Sequence, residues 1–424
     1  MGLSSTTQEE RGYLFLFLIT TLGAAIRKWF TESSAISNSI LLIEMLMPFI
    51  WMFFRSNNSN TPFKYSQLLV FYFLYLAFHI INPLQHTFFH GALGFIIYGS
   101  FWLGIFYYMS NRHLFNPTKF IKIILIICAL EMVLAFIQYQ LPREHFLNKY
   151  AREIEAGVAM VEDRVRVSGT FSYLSGFTAF MVFYPFLIWA MFKLNYSSWF
   201  TAVAIIFGSF AVFMTGSRSC FVLFFAFLSI ILYQTFTFKT FTNYIVKLLI
   251  PLAIGVAILS ITNPKAFYNQ IDSAFGNFFK RVERGTESGE QSQRVNWDVQ
   301  MFKNNHFKHP IMGIGLGATY QGATITFGQS ELVSEFGYVE NEPVKIVLEG
   351  GIIMAILKLC LATLLIRNLS FKGPIRYLIW FTIVYAMPIT FNVHNAAFFL
   401  MGLILIDNIF WRQQQEQLAV KTSE

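Results

Sequence analysis

Residues 198–238 read SWFTAVAIIFGSFAVFMTGSRSCFVLFFAFLSIILYQTFTF, and the fold class follows from them. Two apolar runs, 198–215 and 219–238, are each long enough to cross a hydrocarbon layer of about 30 Å as a helix. Only Thr215-Gly-Ser-Arg218 joins them, a turn too short to be a domain. The runs are therefore read as two successive membrane spans, with a guanidinium left at the surface between them.

The same pattern repeats outward in both directions. Apolar windows at 12–26, 37–54, 66–83, 91–109, 118–138 and 170–192 precede this pair, and 244–262, 343–366, 375–391 and 395–411 follow it. With 55% hydrophobic, 18% aromatic and 13% charged residues, the chain is too apolar for a soluble domain of this size. The short alternating strands of a barrel are missing. The expectation is an all-α polytopic membrane protein with about 12 transmembrane helices and one large polar loop. The organisation is read as 1–262, transmembrane helices 1–9; 263–342, the large loop; and 343–424, transmembrane helices 10–12 and a cytoplasmic tail.

Charge sets the orientation. Placing the N-terminus inside puts Arg11, Arg55, Lys64, Arg112, Lys119, Lys193, Lys239, Arg367, Lys372, Arg376 and Arg412 on the cytoplasmic side, as the positive-inside rule asks. The net charge of +8 is scattered over loops and not gathered on one face, so nucleic-acid binding is not indicated. Contact with membrane lipids accounts for it. Cys128, Cys220 and Cys360 lack paired spacing, which argues against a disulfide framework or a zinc site. Nothing at the N-terminus has the form of a cleavable signal.

Three basic clusters break the orientation rule: Arg27-Lys28-Trp29, Arg164 with Arg166, and Arg218. A cation held at the membrane surface on the cation-poor side is costly and usually has an anion to bind. Snorkelling to lipid phosphates or pairing with loop carboxylates is the plain alternative for each. All three face the same side as the large loop, which carries Arg294, so one anion site is the favoured reading. Phosphate esters of lipids are the anions found at this depth, and arginine engages two phosphate oxygens at once. No His-x-x-x-His or paired Asp motif occurs outside, so no metal and no cofactor is expected. The arginines would disperse the charge of a leaving pyrophosphate.

Glu340-Asn341-Glu342-Pro343 opens the tenth span, with Pro343 in its first turn. Glu340 and Glu342 are candidates for a catalytic base and equally for ordinary helix-start carboxylates. Lys345 is a candidate substrate contact, or simply the i,i+4 partner of Glu349. Gly313-Ile-Gly315-Leu-Gly317 lacks the spacing of a phosphate loop and reads as a tight turn laying the loop back on the membrane. Glu44, Glu131 and Asp407 lie inside spans, where carboxylates are expensive; they are either functional or satisfied between helices.

These pieces, in this order, resemble the O-antigen ligase and O-antigen polymerase superfamily of bacterial inner-membrane glycosyltransferases. The resemblance is carried by Arg166-Val-Ser-Gly-Thr-Phe171, Thr215-Gly-Ser-Arg218, Arg294-x-x-Trp297, Pro310-Ile-Met-Gly-Ile-Gly-Leu-Gly317 and Leu348-Glu349-Gly350-Gly351, with Arg27-Lys28-Trp29 familiar from one branch. It implies a C-type glycosyltransferase-like fold that takes undecaprenyl-pyrophosphate-linked glycan at the periplasmic face, so that the large loop is periplasmic. It further implies Arg218 and Arg294 as the pyrophosphate arginines, and a chain-length regulator and a flippase of the same pathway as partners. Ligases carry a histidine followed by Asn or Ser where this chain has Glu340-Asn341. That leaves a glutamate in the position of a base; His394-Asn395 is a distant substitute.

The reading is a repeat-unit polymerase for a surface or extracellular polysaccharide, an exopolysaccharide or O-antigen, with a ligase to a lipid or protein acceptor as its nearest rival. A transporter coupled through Glu44 and Glu131 is the rival of another class.

Overall fold

A computed structural model describes residues 6–53, 66–151, 158–161, 164–237, 264–288, 309–320, 322, 327–329, 333, 341–389 and 392–423. Among these, nine helices are long and apolar enough to cross a membrane, and Gln67–Ile80 and Ile375–Ala386 are shorter apolar helices. The protein is thus an all-α polytopic membrane protein. The window 244–262 lies outside the described residues.

The helices are α1 (Gln8–Ala25), continued by a π-helical turn Ile26–Phe30, then α2 (Ser34–Phe53), α3 (Ser66–Ile80), α4 (Phe88–Ser110) and α5 (Ile121–Gln140). Next come α6 (Leu174–Lys193), α7 (Ser198–Thr215), α8 (Arg218–Thr235) and α9 (Pro264–Glu287). The last are α10 (Glu342–Asn368), α11 (Ile375–Phe381) and α12 (Val393–Ser423). A two-residue hairpin pairs β1 (Met160–Val161) with β2 (Arg164–Val165).

Two expected spans, 66–83 and 375–391, are shorter than the sequence indicated, and in both a proline is the cause. Pro83 follows Asn82, and Pro388 follows an extended Met387 (φ −132°, ψ 131°); a residue before proline is pushed out of the helical region. The sixth helix begins at Leu174 and not at 170, because Gly169 sits at φ +57° in the turn before it.

The centre is the pair α12 and α6. The apolar windows of these two helices are 94% and 83% buried, more than those of the other spans, so the remaining helices wrap around them. Aromatic rings interlock along the seam: Phe180–Phe398 at 5.6 Å and Phe186–Phe399 at 5.7 Å between centroids.

The loops after α4 and α10, the start of α1 and the far part of α12 meet at one end of the bundle. There Lys119 bridges Glu10 at 2.8 Å, and Arg412 donates to the Phe115 carbonyl. Asp407 accepts from Arg112 at 2.9 Å, from the Tyr108 hydroxyl at 2.9 Å and from the Ser370 amide at 2.5 Å. Asp407 is therefore satisfied between helices. Arg112, Lys119 and Arg412, which the charge rule puts on one side, thus lie at the same end of the bundle. Labelling of cysteine variants in intact cells is expected to reach Gln291→Cys from outside and Lys372→Cys only after permeabilisation. The reverse pattern would put the arginine clusters on the wrong side for the site described below.

At the opposite end, α10 is broken. Gly351 has φ +69° and ψ −177°, a backbone conformation essentially confined to glycine. In an unbroken helix the Ile352 amide would donate to Leu348; here it donates to the Pro310 carbonyl at 2.8 Å. The exposed carbonyls of Leu348 and Glu349 accept from Ile314 (3.1 Å) and Gly315 (3.0 Å). The Tyr75 hydroxyl donates to the Gly350 carbonyl at 2.7 Å. The glycine-rich segment therefore plugs a helix break, with Ile314–Thr319 buried, instead of lying as a turn on the surface. Gly313, Gly315 and Gly317 all have positive φ, which permits the approach.

Candidate anion site

The site is built on the Thr215–Arg218 turn between α7 and α8. Gly216 ends α7 in the left-handed region at φ +58°, and the Ser217 hydroxyl caps α8 by accepting from the Cys220 amide. Arg218 is thereby fixed as the first residue of α8. Arg166 lies across the turn and donates through Nε to the Thr215 carbonyl at 2.8 Å.

Helix α9 closes the other side. Phe275 packs on Phe213 (4.2 Å between centroids) and Phe278 on Phe221 (4.8 Å). This docking brings Arg281 to Gly216, where a Cβ would lie 3.5 Å from its Nη1 and 3.3 Å from Nε of Arg166. Gly285, one turn further, is packed directly against the Arg218 guanidinium, which a Cβ there would displace. Arg164 stacks over the Tyr139 ring at 5.8 Å and lines a cleft with Arg166, Gly216, Asn277 and Phe278. Burial pulls the Arg166 pKa down to about 10, and the guanidinium of Arg281, followed by that of Arg218, pushes it the same way. Positive charges pressed together in a partly dry cleft attract an anion, because each added negative charge relieves their repulsion.

The segment 166–171, which follows β2 and turns at Ser168–Phe171, is held from behind. Lys28, 1% exposed, gives its ammonium to the Ser168 hydroxyl (2.9 Å) and the Gly169 carbonyl (2.7 Å). Gln138 accepts from the Ser168 and Gly169 amides and donates to the Gly169 carbonyl. Glu131 accepts from the Thr170 amide at 3.1 Å and its hydroxyl at 2.5 Å. Lys28, a candidate substrate contact in the sequence, anchors the segment that carries Arg166. Glu131, offered by the transporter reading as a coupling group, is engaged in the same anchorage.

Arg27 donates to the Ser37 hydroxyl at 3.0 Å at the start of α2. Glu44 pairs with His394 Nδ1 at 3.1 Å. Glu342 is the first residue of α10, with Asn341 as N-cap and Pro343 beside it, as the sequence indicated. It is 2% exposed and accepts from Lys358 at 2.6 Å. Sixteen residues along a straight helix would separate them by about 24 Å, so the break at Gly351 is what brings them together. Lys345 donates to Thr319 Oγ1 (2.8 Å) and pairs with Glu349 at 3.3 Å, the i,i+4 contact anticipated above. Glu349 is the hub of this network, accepting also from Tyr98, the Gly317 amide and both donors of Thr319. Arg294, Trp297 and Glu340 lie outside the described residues.

The structure thus gathers Arg164, Arg166 and Arg218, adds Arg281, and sets Lys28 behind them. Glu342 and Lys345 belong to a separate buried network around the helix break. Arg281 carried a signal in the basic run Lys280-Arg281-Val-Glu-Arg284, and Lys358 carried one as a charge inside an apolar span. No group of three or more metal-donor side chains occurs among the described residues.

Residues 202–359 match the family model described as O-antigen ligase. The matched stretch runs from α7 through the first half of α10 and past its break, so it includes Arg218, Arg281 and the glycine plug. No curated protein and no solved structure matches the chain.

Proposed function

We propose that this chain, with its O-antigen ligase domain, is a bacterial inner-membrane glycosyltransferase that polymerises undecaprenyl-pyrophosphate-linked repeat units at the periplasmic face. The observation that carries the proposal is the convergence of Arg164, Arg166, Arg218 and Arg281 on the Gly216 turn. A diphosphate ester presents paired oxygens to forked guanidinium donors and places its lipid tail in the surrounding bilayer.

In the transfer, a sugar hydroxyl of the acceptor unit attacks the anomeric carbon of the donor. The bond from that carbon to the pyrophosphate oxygen breaks, and the pyrophosphate leaves with the electron pair. The arginines are already oriented toward the charge that develops, so little reorganisation is needed. Arg294, from the large loop, is the further arginine nominated by the resemblance. Glu340 is the carboxylate nominated to take the hydroxyl proton, since Glu342 is committed to Lys358. The chain-length regulator and flippase of the pathway remain the proposed partners.

Reconstituted protein given synthetic lipid-pyrophosphate repeat units is expected to produce a glycan ladder on the lipid, with or without EDTA. Loss of activity restored by magnesium or manganese would mean that the arginines are not the main electrophilic element. Transfer of one glycan to an added acceptor, with no ladder, would establish the ligase. Vectorial movement of the lipid-linked glycan without chemistry would establish a transporter.

A further inference from the structure

Glu44 and His394 are 350 positions apart in the chain, yet the Nδ1 of His394 lies 3.1 Å from Oε1 of Glu44. The pair is not buried evenly: His394 keeps 9% of its surface exposed, Glu44 only 2%. A carboxylate on Nδ1 fixes the ring and its tautomer, so that Nε2 presents a lone pair to whatever approaches.

The surroundings belong to the same end of the bundle as the arginine site. Phe171, the last residue of the Arg166–Phe171 segment, packs edge-on against the His394 ring at 6.0 Å between centroids. Arg166 and Phe171 are five residues apart, so their Cα atoms are separated by at most about 18 Å. Tyr320 packs on Met45, Ile97 and Val393, which are the chain neighbours of the pair and the facing residue of α4. Its phenol is raised to about 12 by burial, while Arg27 opposes and Glu44 adds to the shift, so both charges lie within reach of it. Glu44 also borders a small cavity with Ser100, Asn392 and Val393.

We propose that His394, oriented by Glu44, is the group that accepts the proton of the acceptor sugar hydroxyl. This rests on the glycosyl-transfer reading above and names His394 in place of Glu340. As the acceptor oxygen bonds to the anomeric carbon and the pyrophosphate departs onto the arginines, the hydroxyl proton passes to Nε2. Glu44 holds the ring through Nδ1 while the imidazolium forms, and the imidazolium then releases its proton to solvent. The segment 166–171 spans the two halves of the reaction, with a donor arginine at one end and the ring that packs on His394 at the other.

The test is transfer from synthetic polyprenyl-pyrophosphate repeat units by reconstituted parent, His394→Gln, Glu44→Gln, His394→Gly and Glu340→Gln. His394→Gln is expected to lose about 10²–10⁴-fold in turnover with the KM for the lipid donor unchanged. Glu44→Gln falls in the same direction, and added imidazole restores part of the turnover of His394→Gly, which a purely structural histidine would not show. Should the His394 variants melt well below the parent, Glu44→Gln, nearly identical in shape, decides on turnover alone. Parental turnover in His394→Gln, or in a folded Glu44→Gln, overturns the proposal. So does a loss confined to Glu340→Gln. A parent that makes no product overturns the glycosyl-transfer reading itself.

Discussion

Arg218→Lys is expected to insert and fold as the parent does and to lose about 10²–10³-fold in turnover. The substitution keeps the charge and most of the stem, so topology and lipid contact are preserved. What it removes is the planar fork, which can hold two pyrophosphate oxygens at once. The fold positions that fork: Ser217 caps the helix that Arg218 begins, and the backbone of Gly285 is packed against the guanidinium. An ammonium would leave part of the space next to Gly285 and gain no second oxygen. If Arg218 only snorkels to lipid phosphates, lysine serves equally well and turnover stays at the parental level.

Glu349→Ala is expected to cost about 3–5 kcal/mol of stability or to prevent folding, because it removes one partner of a buried ion pair. Lys345 would lose its carboxylate while 1% exposed. The Gly317 and Thr319 amides and the Tyr98 hydroxyl would lose their acceptor at the same time. The glycine plug is held to the broken helix by these bonds and by the backbone bonds of Ile314, Gly315 and Ile352. Thermal unfolding in detergent checks this. Glu349→Gln keeps an oxygen acceptor of similar shape and is expected to fall between parent and alanine variant. An alanine variant that melts with the parent would mean that the plug is held by its backbone bonds alone.

Much of this arrangement is legible in the chain because membrane burial imposes long apolar windows and loop cations impose a side. That logic locates the turn at Thr215–Arg218 and puts Arg164, Arg166 and Arg218 on one side of the membrane. It overran at Pro83 and Pro388, where apolar character continues but the backbone leaves the helix. It could not place Arg281, whose position depends on Phe275 and Phe278 docking against Phe213 and Phe221, contacts with no sequence period. The glycine triplet looked like a surface turn for a related reason. Its partners, Leu348 and Glu349 at the helix break, lie more than thirty positions away, and the bonds to their carbonyls are backbone bonds that side-chain patterns do not report. Glu44 and Glu131 were visible as costly charges in spans, but their partners, His394 and Thr170, were not.

The most direct test of the arginine site is equilibrium binding of a polyprenyl pyrophosphate to the purified protein, compared with the corresponding monophosphate. Parent protein is predicted to prefer the pyrophosphate, and Arg218→Lys and Arg166→Lys to lose most of that preference while melting as the parent does. Equal binding of the two lipids by the parent, or a preference that survives in both variants, would contradict the assignment of this cleft to the donor.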